Sequence, residues 1–375
     1  MRRGPVLLAL AVLAGACTSF EDSEPARAPD GGAEASSDAG GGTPDPDAGA
    51  DAPAPKPAKH VYVFGGVADA TGEQSTKAAY RAPIAADGSL GAWEAFAALD
   101  VARDNGALAV TGAGVAVFAG GHLGSGVARV PHVDSVDTVS LEPMTSWSAG
   151  PTLPGGRSSS AAVAIGSRVY VTGGQAPAFA FHDEIWMASV ESGTLSSWAP
   201  AGTLPAPMAT HAMVALGTRV YVVGGGAELD GGIAYTPVAM MATVEADGAL
   251  GGWKQSGTMP VLVNGPAAVT VGLRVFVLGG GASADAHPTG AVSVGTQAED
   301  GTLAWAAGAP MPGPAWLPCA VATTDTIYVM GGYSAAGEPA QASVYVGRVA
   351  SNGGIAWTTS APMPIARAAA GCAVR

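Results

Sequence analysis

The stretch Arg219–Ala227, RVYVVGGGA, decides how the chain is to be read. Val220–Val223 are β-branched or aromatic, as in a strand, and the strand runs into glycines. Two readings compete. A glycine loop after a strand cradles phosphate in nucleotide-binding proteins. Glycines at a strand end also let backbones pass closer than any side chain allows. The rest of the chain separates the two. The pattern returns as HVYVFGG at His60–Gly66, VAVFAGG at Val115–Gly121, RVYVTGG at Arg168–Gly174, RVFVLGG at Arg274–Gly280 and TIYVMGG at Thr326–Gly332. A phosphate loop occurs once in a domain, whereas six copies spaced by 51 to 55 residues describe a repeated structural unit.

A second signal is phased with the first. ADGSLGAW, ESGTLSSW, ADGALGGW, EDGTLAW and SNGGIAW end at Trp93, Trp198, Trp253, Trp305 and Trp357, and SLEPMTSW, without the Asp-Gly, ends at Trp147. Asp-Gly and Asn-Gly favour tight hairpin turns because both central positions tolerate positive φ. Proline corners follow at Thr152–Pro154, Thr203–Pro205, Thr258–Pro260, Pro310–Pro312 and Pro362–Pro364. From each Trp to the second glycine of the next pair there are 28, 27, 27, 27 and 27 residues, an interval that must hold two packed strands. The opposite interval varies from 24 to 28, so insertions collect there. The unit is therefore four strands: an inner strand, the VYVxGG strand, and two more joined at the Asp-Gly turn.

These repeats, with the double glycine and the phased Trp, resemble the kelch repeat over residues 60–375. The resemblance implies an all-β fold, a kelch-type β-propeller with each Trp as an apolar wedge between blades. Six glycine pairs and six phased tryptophans predict six blades. His60–Gly66 has no inner strand before it, so the C-terminal ARAAAGCAV, 366–374, is expected to pair with it and complete one blade from both ends.

The N-terminus is a targeting segment. Arg2 and Arg3 precede a short apolar core, Val6–Leu13, and Leu13-Ala-Gly-Ala-Cys17 resembles a bacterial lipoprotein signal with its Leu displaced by one. This implies a signal peptide over 1–17 and a lipid on Cys17, with ordinary secretion as the alternative. Residues 18–59 are rich in Ala, Gly, Pro, Ser and acids and read as a disordered linker, with nine acids against three bases. Residues 60–375 carry 21 acids, 12 bases and only two lysines, Lys77 and Lys254, within a total net charge of −13. That balance argues against nucleic acid, and against any membrane contact except the N-terminal lipid.

Chemistry-bearing motifs are sparse. The six histidines stand without metal-ligand spacing, and no GxSxG, HExxH, EF-hand or P-loop pattern occurs, so neither metal nor cofactor is expected. Cys319 and Cys372 occupy matching inner strands and are expected as buried thiols, a bridge being the alternative. The copper chemistry of galactose oxidase, also a kelch-type propeller, needs a Cys–Tyr cross-link and two histidines that these positions do not supply. Segments before the inner strands and loops after the glycine pairs open on one rim. Arg103, Asn105, His122, Arg157, Gln175, His211, Asn264, Trp316, Tyr333 and Arg367 are placed there as candidate ligand-binding residues. For the arginines the alternative is a structural role, holding backbone carbonyls between blades. Residues 120–135 and 224–237 form long loops where specificity would be set. The expectation is a monomeric, non-catalytic module that binds protein or glycan at the outer membrane or cell surface, or in the periplasm. The rival is a carbohydrate-acting enzyme resembling sialic acid mutarotases, which the lack of an equivalent inner glutamate weakens.

Overall fold

In the computed structural model the described residues are Thr18–Ser19 and 59–375, apart from 69–73, 124–131, 144, 178–179, 230–231 and 283–286. The signal peptide, Cys17 and most of the linker lie outside the described residues. Thr18–Ser19, expected as linker, instead forms a short strand parallel to Ala107–Val110.

Among the described residues there is no α-helix, and six sheets, each built on four antiparallel strands, repeat in chain order; Thr18–Ser19 adds a fifth, parallel strand to the second and Thr194–Leu195 a fifth strand to the third. Listed from the inside outward, the first is Gly371–Val374, His60–Phe64, Ala79–Pro83 and Glu94–Ala95. The second is Ala107–Val110, Val115–Ala119, Val136–Ser140 and Ser148–Gly150. The third runs Ala161–Ile165, Arg168–Thr172, Glu184–Glu191 and Ala199–Thr203. The fourth is Ala212–Leu216, Arg219–Val223, Val238–Val244 and Leu250–Thr258. The fifth is Ala267–Val271, Arg274–Leu278, Val292–Gln297 and Leu303–Ala307. Cys319–Ala322, Thr326–Met330, Val344–Val349 and Ile355–Thr359 form the sixth.

Each inner strand lies beside those of the two adjacent sheets, and the sixth returns to the first, so the sheets close a cycle: a β-propeller. The C-terminal strand pairs with the N-terminal one in the register Val61↔Val374, Tyr62↔Ala373, Val63↔Cys372, Phe64↔Gly371. Main-chain hydrogen bonds at His60 and Arg375 extend this pairing. The apolar core lies between sheets, and each inner strand buries both of its faces.

Both glycines of every pair have positive φ, from +57° to +104°. The amide of the second glycine donates to a carbonyl of the next sheet: Gly66 to Arg103, Gly121 to Arg157, Gly174 to Met208, Gly225 to Val263, Gly280 to Ala315 and Gly332 to Arg367, at 2.8–3.0 Å. A Cβ on the first glycine would sit 2.1–2.8 Å from that same carbonyl oxygen. The pair is a backbone clip between sheets, and any side chain would push the sheets apart.

A tyrosine, a tryptophan or both complete each interface. Tyr170, Tyr221 and Tyr328 donate their hydroxyls to Gly248, Gly301 and Gly88 in the hairpin turns of the adjacent sheet, at 2.7–2.9 Å. In the sheet whose turn lacks Asp-Gly, Glu142 accepts the Tyr62 hydroxyl instead, at 3.4 Å. The indoles of Trp147, Trp198, Trp253, Trp305 and Trp357 donate to Ala97, Pro151, Thr203, Ser256 and Ala309 of the preceding sheet, at 2.8–3.0 Å. Only Trp147 is a buried wedge, packed edge-on against Phe64 at 5.3 Å. The other five phased tryptophans are partly exposed, because they lie toward the outer strands, where the sheets splay apart.

Candidate functional site at the channel mouth

At the end of the propeller where the inner strands begin, each sheet carries a short cap. The residue after each glycine pair bridges backward to the residue that leads into the inner strand: Val67 to Ala368, His122 to Asp104, Gln175 to Ser158, Gly226 to Ala209, Gly281 to Asn264 and Tyr333 to Trp316. It also bridges outward, to Ser75, His132, Phe181, Tyr235, Pro288 and Ala340 respectively. The insertions noted in the sequence thus build a second tier above the sheets.

Beneath the caps lies a closed ring. Asn105, Ser159, Thr210, Gly265, Leu317 and Ala369 occupy the equivalent position in the six sheets, all with φ between +53° and +61°. Each donates its amide to the carbonyl of the one before, and Asn105 donates to Ala369, so six hydrogen bonds of 2.8–3.1 Å return to their start. A left-handed conformation costs a non-glycine residue about 1–2 kcal/mol. Five of the six pay it, and the ring is what holds them there. The side-chain-bearing members are 0–2% exposed, so the ring stands closed to solvent beneath the caps.

The three arginines are withdrawn into the sheets. Arg103 Nη1 donates to the carbonyls of Phe118, Gly120 and Ser135, and its Nη2 to Ser135 Oγ and Asp137 at 2.8 and 2.7 Å. Arg157, fully buried, donates to the carbonyls of Gly173 and Pro154 at 3.2 and 3.1 Å. Arg367 donates to Gly65 and Ala78 at 2.9 and 3.0 Å. In each case the guanidinium binds the first glycine of its own sheet, while the arginine's carbonyl accepts from the glycine pair of the preceding sheet. Burial lowers the pKa of all three. Where Ala315 replaces the arginine, Gln341 Nε2 reaches Gly331 O instead, at 3.3 Å.

The other candidates do gather at the mouth. His122 Nδ1 lies 3.2 Å from Asp104 Oδ1, and Asp104 also accepts from Ser75 and from Asn105 Nδ2. The His122 ring meets that of His132 with centroids 4.7 Å apart, and His132 Nδ1 lies 3.0 Å from Ser158 Oγ. Gln175 closes this polar side. Across the mouth, on the sixth sheet, Trp316 and Tyr333 pack at 5.8 Å, with the Trp316 indole donating to Asn264 Oδ1 at 3.4 Å. His211 stands apart, buried between the third and fourth sheets with Nε2 2.8 Å from Thr172 Oγ1.

Desolvation pulls the His211 pKa down to about 4, and desolvation, followed by His122, does the same to His132. A depressed histidine pKa means that the unfolded chain takes up a proton first, near pH 6.5, so these residues stabilise the fold above that pH. Stability therefore falls as pH drops from about 6.5 toward 4. Denaturant titrations at pH 7 and pH 4.5 are expected to differ by about 2 kcal/mol more in the wild type than in His211→Gln. Equal losses in both proteins would show that His211 does not carry the dependence.

Several mouth residues escape sequence reasoning. Asp104, His132 and Ser158 emerge only once the cap bridges are known. The half-exposed outer tier is aromatic or apolar on three successive sheets, with Phe181, Tyr235 and Pro288, and Ile233 beside Tyr235 is 51% exposed. Locating the residue seven to ten places beyond each glycine pair would have flagged that tier. Among the described residues no three of His, Cys, Asp and Glu converge as metal ligands. Away from the mouth, an open cleft of about 530 Å³ lies between the second and third sheets, with Glu142 as the one charged residue among its described lining residues.

A family model described as the KLHDC2/KLHL20/DRC7 Kelch-repeats domain matches residues 52–280, more than half of the chain. No curated protein matches it.

Proposed function

The chain belongs to the Kelch-repeat family, and from that premise we propose that it is a non-catalytic binding module, exported and held to the envelope by a lipid on Cys17, whose capped rim engages a protein partner. One observation carries this reading. The rim arginines are withdrawn into the sheets, and the side chains left half-exposed on the caps include Phe181, Tyr235, Pro288 and Trp316, beside the polar Ser75 and His132. Aromatic side chains over a rigid scaffold are what the centre of a protein interface needs, because they supply large contact area at low entropic cost. A saccharide stacking on Trp316 uses the same chemistry and is the glycan form of this reading.

The test is a pull-down and a glycan array with the full chain, wild type and Trp316→Ala/Tyr235→Ala. The double variant is expected to keep its circular dichroism and lose at least tenfold in affinity for whatever is captured. Full binding by the folded double variant would overturn the rim assignment. Release of Cys17→Ser from the membrane fraction tests the anchor separately, and unchanged fractionation would count against it.

A second reading rests on Asp104. A buried carboxylate beside His122 at the mouth is an acid–base pair of the kind that a carbohydrate-acting propeller would use. Sugar mutarotation abolished by Asp104→Asn in a folded variant would favour it over the binding module.

A further inference from the structure

We propose that Cys319 and Cys372 are a cross-linking site, forming a disulfide that locks the interface at which the propeller closes. The sixfold repetition makes the argument. Counting from the ring residue of each inner strand, the side chain two places on faces the following sheet, and the one three places on faces the preceding sheet. The facing pairs so defined share one interface cluster each: Ala107 with Ala162, Ala161 with Met213, Ala212 with Ala268, and Ala267 with Ala320. At the interface between first and second sheets, a Cβ on Gly371 would lie 2.9 Å from Leu108 Cδ1, as the rule requires. Cys319 is two places beyond Leu317, and Cys372 three beyond Ala369. They are thus the facing pair across the interface between sixth and first sheets, both 1% exposed and in one cluster. Small residues at most of the equivalent positions show how closely the backbones approach there.

A second observation concerns the same interface. Arg367 sits at this same interface, its carbonyl accepting from Gly332, and its Nη2 is buried without a hydrogen-bond partner. Burial lowers the pKa of that guanidinium to about 10, with Cys319 among the neighbours that oppose the shift. The attacking form of either cysteine is its thiolate.

In the structure both residues are thiols. The oxidant is a small-molecule disulfide such as oxidised glutathione. Cys319 thiolate attacks one of its sulfurs and expels a thiolate, leaving a mixed disulfide on Cys319. Cys372, giving up its proton, then attacks Cys319 Sγ and expels the second thiolate. Two protein thiols are oxidised, one small disulfide is reduced to two thiols, and the protons pass to the leaving groups. Because both sulfurs are buried, exchange occurs while the C-terminal strand is still docking. The inference rests on the proposed export only for a cellular source of oxidant, and the experiment supplies its own.

The full chain carrying Cys17→Ser is refolded with oxidised glutathione, and its thiols are counted after denaturation without reductant. The expected result is no reactive thiol, a monomer on non-reducing gels, and a mass lower by two hydrogens. Reductant then lowers the unfolding midpoint by about 5 °C or more, since the bridge spans a long loop. Cys17→Ser/Cys372→Ser retains one thiol and does not respond to reductant. Two titratable thiols in the oxidised sample, or an intermolecular dimer, would overturn the proposal, whatever the binding assays return.

Discussion

Replacing Gly120 by alanine is expected to lower the free energy of unfolding by about 3–5 kcal/mol, whereas the same change at Gly217 costs about 1 kcal/mol. The two positions isolate one variable. Their φ angles are alike, +65° and +63°, so the penalty for placing a Cβ on a left-handed residue is common to both. They differ in what the Cβ meets. At Gly217, in a solvent-facing turn, nothing lies within 4 Å. At Gly120 the new atom would lie 2.4 Å from Arg157 O, the acceptor of the 2.8 Å bond from Gly121. The oxygen must retreat, the bond between second and third sheets is lost, and two buried main-chain groups go unsatisfied. Denaturant titration of both variants checks the difference. Equal costs would mean that these glycines serve only their own backbone conformation.

That contrast also shows what the sequence could and could not reveal. The glycine pairs and the Asp-Gly turns were legible because each depends on a residue type that backbone geometry permits almost nowhere else, and the shared first sheet because the repeat leaves His60–Gly66 without an inner strand. The left-handed ring was not. Asn105, Ser159, Thr210, Leu317 and Ala369 share no chemistry, since their conformation is imposed by hydrogen bonds to the neighbouring ring residue rather than chosen locally. The direction of the arginines was equally hidden. Arg103 and Arg157 lie next to Asp104 and Ser158, which do reach the caps, yet a single step along the chain turns the side chain back into the sheet. Phe181 was not singled out, and Tyr235 only as part of the loop 224–237, because their loops differ in length, so the register that aligns the glycines does not align them. Repetition exposes whatever is copied in every sheet, and a binding surface is made from what is not copied.

Arg157→Ala is therefore expected to act on stability and not on recognition. The guanidinium is fully buried, and its donors hold the carbonyls of Pro154 and Gly173, the latter belonging to the glycine pair that clips the third sheet to the fourth. Glu184, 3.7 Å away and largely solvated, offsets little of the cost of burying the cation. The arginine earns its place through geometry, as a planar fork that reaches carbonyls on two segments at once. Truncation leaves those acceptors stranded around a cavity, an expected loss of about 3–5 kcal/mol. Lysine should recover only part of this, since one ammonium on a flexible stem cannot span both acceptors. Denaturation of Arg157→Ala and Arg157→Lys, read beside partner binding at a temperature where both remain folded, separates the roles. Stability lost with binding kept is the outcome that the geometry requires. Binding lost at unchanged stability would return Arg157 to the ligand surface, and with it the rim first drawn from the sequence.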